Sequence, residues 1–447
     1  MSRRLVIEFL PANSFETHLT TATHTNTTTL DKSSGSTRLR GIDALRGAAA
    51  LAVVLYHAIG QTQPPGSHWL ARFFVQPARE AVAYGYTGVF LFFVISGFCI
   101  HLNQAKARAA GRTPRVEFFS FWRRRVRRLY PPYLVALAIY LVVAYATGYL
   151  PLDKFFVWNL ASHVLMIHNF DPRTCYSINS VFWTLAIEEQ LYLAYFLLLF
   201  LRRRFSWKTT LAICFAARIA CFAVLTLLRR SAGIEIQIPE AALSHWFTWA
   251  LGALAVEHAF GLVRLPRWTR DLRVGAILLL AAATLTRVLP VYESYTIPHD
   301  AGWLLLHPLW GLGFFVVVNR AVEAERSWRA SRKLPRAVAL LSSVGLFSYS
   351  LYLTHQLVLL EAWRFEHLPV HAMIVALLLM TPLCIGFAWL FFQLFERPFL
   401  ARAASVASRA RARRIAPRAV FVAPSSTVAR APQREERASA VAHEGAL

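Results

Sequence analysis

Stretches of about twenty predominantly apolar residues recur along almost the whole of this 447-residue chain. As a helix, each is long enough to cross the roughly 30 Å of hydrocarbon in a bilayer. They fall near residues 44–61, 84–103, 129–148, 181–201, 206–228, 241–260, 273–290, 303–320, 338–361 and 372–395. A further apolar piece, Phe155 to Ile167, is short and interrupted by Asn159, Ser162 and His163, which fits a re-entrant or interfacial helix better than an eleventh span. The expected fold is an all-α integral membrane protein of about ten transmembrane helices plus that one re-entrant or interfacial helix. Composition excludes an ordinary soluble assembly: 56% of residues are hydrophobic and 16% charged, against about 25% charged in soluble domains.

Where the 48 Lys and Arg residues lie decides what the formal charge of +24 means. They cluster between apolar runs, a pattern of topology signals rather than of a nucleic-acid groove. One connection holds Arg112, Arg115 and the run Arg123 to Arg128, the next on that side holds Arg202, Arg203 and Arg204, and another holds Arg264, Arg267, Arg270 and Arg273. The positive-inside rule makes these cytoplasmic, together with both chain termini. Arg229 and Arg230 are exceptions that land outside. Residues 1–37 are expected to be a disordered tail, 38–398 the membrane domain, and 399–447 a basic, disordered cytoplasmic tail able to lie on anionic lipid. The five cysteines have no metal-type spacing and read as small buried hydrophobes.

Ionisable residues inside spans are costly and by default mark a site. Arg46 and His57 in the first span are eleven positions apart, which returns to nearly the same helix face about 16 Å further along the axis, and Asp43 lies within about 40° of that face. A histidine so placed suits a base that takes a proton from an alcohol, or else a structural bond to a neighbouring helix. Arg125 and Arg128, at i and i+3, can point at one anion, and guanidinium forks match phosphate; topology anchoring explains most of the surrounding arginines. Glu188 and Tyr192 share a face at i and i+4, where the acid either pairs with a buried cation or imidazole or takes part in chemistry. Ser96 beside Gly97 permits close backbone approach, and His355 places a second imidazole in mid-membrane. No phosphate-binding loop, nucleophile elbow or spaced metal-ligand set is present in the sequence.

Taken in order, Arg46 with His57, the stretch Phe92 to Phe98, Arg124 to Pro131, Trp183 to Tyr192 and Ser348 to His355 resemble the membrane acyltransferase 3 family. These are O-acyltransferases that modify bacterial surface polysaccharides and related acceptors. The resemblance runs from about Arg40 to Pro398. It implies transfer of an acyl group, commonly acetyl, from cytoplasmic acetyl-CoA to a hydroxyl of a carbohydrate or lipid-linked glycan, with acyl-CoA as donor substrate and no bound cofactor. By position it implies His57 as the essential histidine, Arg46 as its companion and Arg125 with Arg128 as donor contacts, with Glu188 fixing an imidazole or arginine. Asp43, Ser96, Tyr192 and His355 are the further candidates for substrate contact. Thr184 stands where serine is frequent. Some relatives carry a fused extracytoplasmic hydrolase-like domain, so a second transfer step is expected to need a separate partner. The implied location is the bacterial cytoplasmic membrane. A transporter or flippase for a lipid-linked sugar is the rival reading, because buried Arg, His and Glu also line passages.

Overall fold

Ten helices or helix pairs occupy the ten apolar stretches of the sequence. The computed structural model describes residues 38–60, 73, 76–148, 153–233, 237–289, 297–331, 333–359 and 376–400. All of them belong to one compact unit, Met1–Leu400. The two expected tails lie outside the described residues, save Phe399 and Leu400, as do most of the connection Gln61 to Ala83 and all of Arg364 to His371.

The helices are α1 (Arg40–Gly60), α2 (Gln76–Ala83), α3 (Gly88–Ala109), α4 (Phe118–Ala146), α5 (Lys154–Val164), α6 (Pro172–Cys175), α7 (Trp183–Arg204), α8 (Trp207–Ala232), α9 (Ala242–Ala259), α10 (Leu272–Val288), α11 (Ile297–Ser331), α12 (Arg336–Leu346), α13 (Ser348–Leu359) and α14 (Thr381–Phe391). No strand occurs among the described residues. Among the described residues, seven stretches are long and apolar enough to cross a membrane. The pair α12 and α13 makes an eighth if counted as one span, although its halves meet at 74°. The expected straight span 338–361 is therefore a broken one. At 18 and 17 residues, α9 and α10 are the shorter members of the bundle. The piece expected to be re-entrant or interfacial is α5, whose 11 residues are too few to span. Its N-terminus is capped by Asp153, which accepts from the backbone N–H groups of Phe155 and Phe156, a common way of satisfying orphan donors.

Burial sorts the helices. Of the apolar window in each, 61% is buried in α7 but only 11% in α8, so α8 presents most of its surface outward. The centre is α3 packed on α9. Gly97 lies against the Trp249 carbonyl and Gly252 against the Val94 carbonyl, and a Cβ at either would overlap that backbone. Small residues let two helices approach this closely where the bilayer supplies no hydrophobic drive between them. The close approach also brings the Trp249 indole to Ser96.

One end of the bundle is basic. There α3 finishes with Lys106 and Arg108 and α7 with Arg202, Arg203 and Arg204, and there α4 begins with its run of arginines. At the opposite end Arg229 is held by Asp300 at 2.6 Å. That ion pair explains how a basic residue stands apart from the rest.

Candidate functional site

Arginines on α4 are sorted by helix geometry. Arg123, Arg124 and Arg127 are exposed, while Arg125 and Arg128, three apart, turn inward. Just after them Pro131 and Pro132 lie inside the helix; lacking N–H groups, they leave backbone carbonyls one turn earlier without their usual donors. The neighbouring Leu129 carbonyl accepts from Tyr349 Oη of α13 at 2.9 Å.

Arg125 and Arg128 line a partly open cavity of about 120 Å³ together with Arg46 of α1. None of the three guanidinium groups makes a hydrogen bond or ion pair among the described residues. Arg125 instead lies over the rings of Phe121 and Tyr192, 5.5 and 5.8 Å from their centroids. Two carboxylates share the cavity, Glu188 and Glu396. Both are engaged by hydroxyls rather than by cations. Glu188 Oε1 accepts from Ser96 Oγ at 2.8 Å and from Tyr192 Oη at 2.5 Å, and Ser96 Oγ in turn accepts from Trp249 Nε1 at 3.2 Å. Glu396 Oε2 accepts from Ser350 Oγ at 2.6 Å. Three cations confined with two acids and lacking close partners are expensive, and guanidinium forks in that state are suited to a polyanionic ligand.

The imidazoles form a second group. His57 and His355 meet with Nδ1 of the former 3.2 Å from Nε2 of the latter. His57 Nδ1 also lies 2.9 Å from the Val53 carbonyl, and His355 Nδ1 lies 2.9 Å from the Tyr352 carbonyl. A carbonyl only accepts, so both Nδ1 atoms carry hydrogen. The His355 Nε2 lone pair then faces the His57 Nδ1–H, and the lone pair of His57 falls on Nε2. That atom has no protein partner among the described residues. Such a fixed tautomer is what a proton acceptor needs.

Six of the nine residues expected from sequence therefore meet in one cavity: Arg46, Ser96, Arg125, Arg128, Glu188 and Tyr192. His57 and His355 find each other but stand outside its lining. Tyr352 of the lining has its ring 5.9 Å from that of His355, and it packs in one hydrophobic cluster with Phe92 and with Val53, whose carbonyl His57 meets. Asp43 is elsewhere, paired with Arg38 at 2.5 Å. The expectation that Glu188 fixes an imidazole or arginine is not what the structure places there; its partners are Ser96 and Tyr192. Glu396 was not foreseen. It sits in a π-type turn, Phe392–Glu396, at the end of the final apolar run, a local form frequent at functional sites. The acid followed by Arg397 and Pro398 was its visible mark in the sequence.

A family model described as an acyltransferase domain matches residues 39–393. The chain belongs to this acyltransferase 3 family, in keeping with its many apolar helices. Among relatives, the O-acetyltransferase OatA of Staphylococcus aureus strain NCTC 8325 / PS 47 is 25% identical over 240 residues, covering 50% of this chain and 35% of its own length. A second Staphylococcus aureus relative, from strain COL and also named an O-acetyltransferase, is 30% identical over 185 residues, 37% of this chain and 26% of its own length. The chain thus spans about a third or less of the length of these curated relatives. No solved structure matches the chain.

Proposed function

We propose that this protein is a membrane O-acyltransferase of the bacterial cytoplasmic membrane. It moves a short acyl group, acetyl in the first instance, from acyl-CoA to a hydroxyl of a carbohydrate or lipid-linked glycan acceptor. The observation that carries this reading is the set of three guanidinium groups, Arg46, Arg125 and Arg128, gathered around one cavity without a hydrogen bond or ion pair among the described residues. The basic end faces the cytoplasm, with both termini, by the positive-inside rule. Names of the relatives support acetyl as the group transferred.

Arg125 and Arg128 hold the donor's phosphates at the basic end and Arg46 orients the arm that carries the thioester. The acceptor hydroxyl approaches His57 Nε2 from the opposite end. His57 removes the hydroxyl proton as the oxygen attacks the thioester carbonyl. The C–S bond breaks, and the proton passes to the departing CoA thiolate. His355 is a positioning residue that fixes the tautomer of His57. Glu188, gripped by Ser96 and Tyr192, holds the cavity wall in register. General-base help of this kind contributes about 10²–10⁴-fold. Membrane lipids surround the bundle, and a separate extracytoplasmic transferase is a candidate recipient of the acyl group.

Purified protein in detergent should release CoA thiol from acetyl-CoA when acceptor is supplied, and a folded His57→Ala variant should not. Folded wild-type protein that released none under any acceptor would favour a lipid-linked sugar flippase instead.

A further inference from the structure

The donor cavity is graded along its length. Its α3 lining runs from Val89 to Ile100, about 16 Å of helix. The basic end of this run has Cys99 and Ile100 beside the arginines, and the middle has Ser96 facing Glu188. The far end is Val89, Phe92 and Phe93 of α3 with Thr184 and Leu185 of α7 and Tyr352 of α13. A polyanionic head at the first end directs an apolar acyl group to the second.

That far end closes on two rings. Phe92 meets Tyr352 edge to face, with centroids 5.9 Å apart at 78°. Behind Tyr352, at 5.9 Å between centroids, is the ring of His355, and His355 holds His57. The ring pair thus stands on the side of the cavity that leads through His355 to His57. The two rings differ in how firmly they are held. Tyr352 Oη lies 2.7 Å from Thr184 Oγ1 and 3.1 Å from the Val181 carbonyl, so its tip is pinned to the start of α7. Phe92 has no polar anchor. It is only partly buried and packs at the junction of all three hydrophobic clusters of the bundle.

We infer that Phe92, working against the pinned ring of Tyr352, is the residue that sets which acyl groups this protein transfers. The inference rests on the donor reading above and adds to it a substrate class: acetyl is transferred best, and each further methylene slows transfer at the ring pair although longer linear acyl groups bind through the same arginines. An apolar pocket discriminates by about tenfold or more for each added methylene. Filters of this sort act on the acyl end alone, so they alter turnover without altering capture of the head group.

The full-length protein in detergent is assayed for CoA thiol release with acetyl-, propionyl- and butyryl-CoA. For wild type, kcat/KM falls at least about tenfold per methylene, while butyryl-CoA competes with acetyl-CoA at concentrations close to the acetyl-CoA KM. Phe92→Ala raises the butyryl-to-acetyl ratio of kcat/KM by at least about tenfold, and Phe92→Leu does so by a smaller factor. Tyr352→Phe, which keeps the ring but releases it from Thr184, moves the ratio in the same direction. Equal turnover of acetyl- and butyryl-CoA by wild type overturns the filter without any variant, and so does an unchanged ratio in either Phe92 variant that still turns over acetyl-CoA. Folded wild type that releases no CoA from any donor overturns both the filter and the donor reading, which separates the two failures.

Discussion

Around Glu257 the charges are paired at close range, whereas among the described residues none of the cavity arginines makes an ion pair. Glu257 is fully buried and receives His101 Nε2 at 3.1 Å, Arg108 at 2.5 Å, Arg202 at 3.4 Å and the Trp207 indole at 2.7 Å. His101 is braced in turn by Tyr195 Oη at 3.2 Å. Elsewhere, Arg46, Arg125 and Arg128 share a cavity with Glu188 and Glu396, yet the carboxylates are engaged by hydroxyls and the guanidinium groups make no hydrogen bond or ion pair among the described residues. Both groups draw residues from α3 and α7, Ser96 and Glu188 for the cavity and His101 and Arg202 for Glu257. Charges that find partners within the chain tie helices together, because removing one partner strands another. Charges left open gain only when a ligand arrives. On the proposed function, the difference separates residues that hold the fold from residues that meet the acyl donor.

Substitution can break that division. The largest expected effect is on turnover: His57→Ala should lower kcat by about 10²–10⁴-fold with little change in thermal stability, measured as CoA release beside a melting curve. Next is Glu257→Ala, which strands Arg108, Arg202 and His101 and should cost about 3–5 kcal/mol of stability, seen in detergent unfolding. Donor KM in whatever fraction stays folded should be near wild type. Smaller is Arg128→Gln, expected to raise the acyl-CoA KM by about 10–100-fold, since a charged hydrogen bond contributes roughly 1.5–3 kcal/mol, without lowering the melting temperature. If Glu257→Ala altered donor KM and Arg128→Gln unfolded the protein, the division would be reversed.

The smallest effect concerns a third arrangement, buried imidazoles with neither ion partner nor ligand. His163 of α5 and His168 stack at 4.0 Å between centroids and are fully buried. Burial lowers the His163 pKa from 6.5 to about 4, against a smaller opposing hydrogen bond to the Asn159 carbonyl. An unfolded segment takes up its proton near pH 6.5 and the folded one only near pH 4. Local stability is thus complete above pH 6.5 and is lost as pH falls toward 4. Between pH 7.5 and 5.5, His163 alone should raise opening of α5 about tenfold, measurable by amide exchange once its intrinsic pH dependence is corrected. An unchanged opening rate would place water or a counter-charge beside these rings.

Much of the bundle was legible in the chain because spacing and apolarity report directly on helices that lipid surrounds. The inward pair Arg125 and Arg128 and the bonded pair Glu188 and Tyr192 followed from helical repeats. What the repeat gives is an azimuth; it does not show what stands between two groups on one face. Arg46 and His57 are on one stripe of α1, but Arg46 lines the cavity and His57 does not, while Phe92 and Tyr352 from other helices do. Asp43 was read as lying near the face of Arg46 and His57; it pairs with Arg38 and is not among the cavity lining. The 74° break between α12 and α13 had no proline to announce it. Glu396 stood one residue past the end of the last apolar run, where a carboxylate is easily taken for the start of a polar tail.

The division between answered and open arginines is tested most directly by equilibrium binding of CoA itself to the purified full-length protein, in wild type and in the double variant Arg125→Gln/Arg128→Gln. Saturable binding to wild type that weakens with added salt, and is lost in a double variant of undiminished melting temperature, is the expected result. CoA that bound the double variant as tightly as wild type, or failed to bind folded wild type at all, would contradict the assignment of the cavity to an anionic acyl donor.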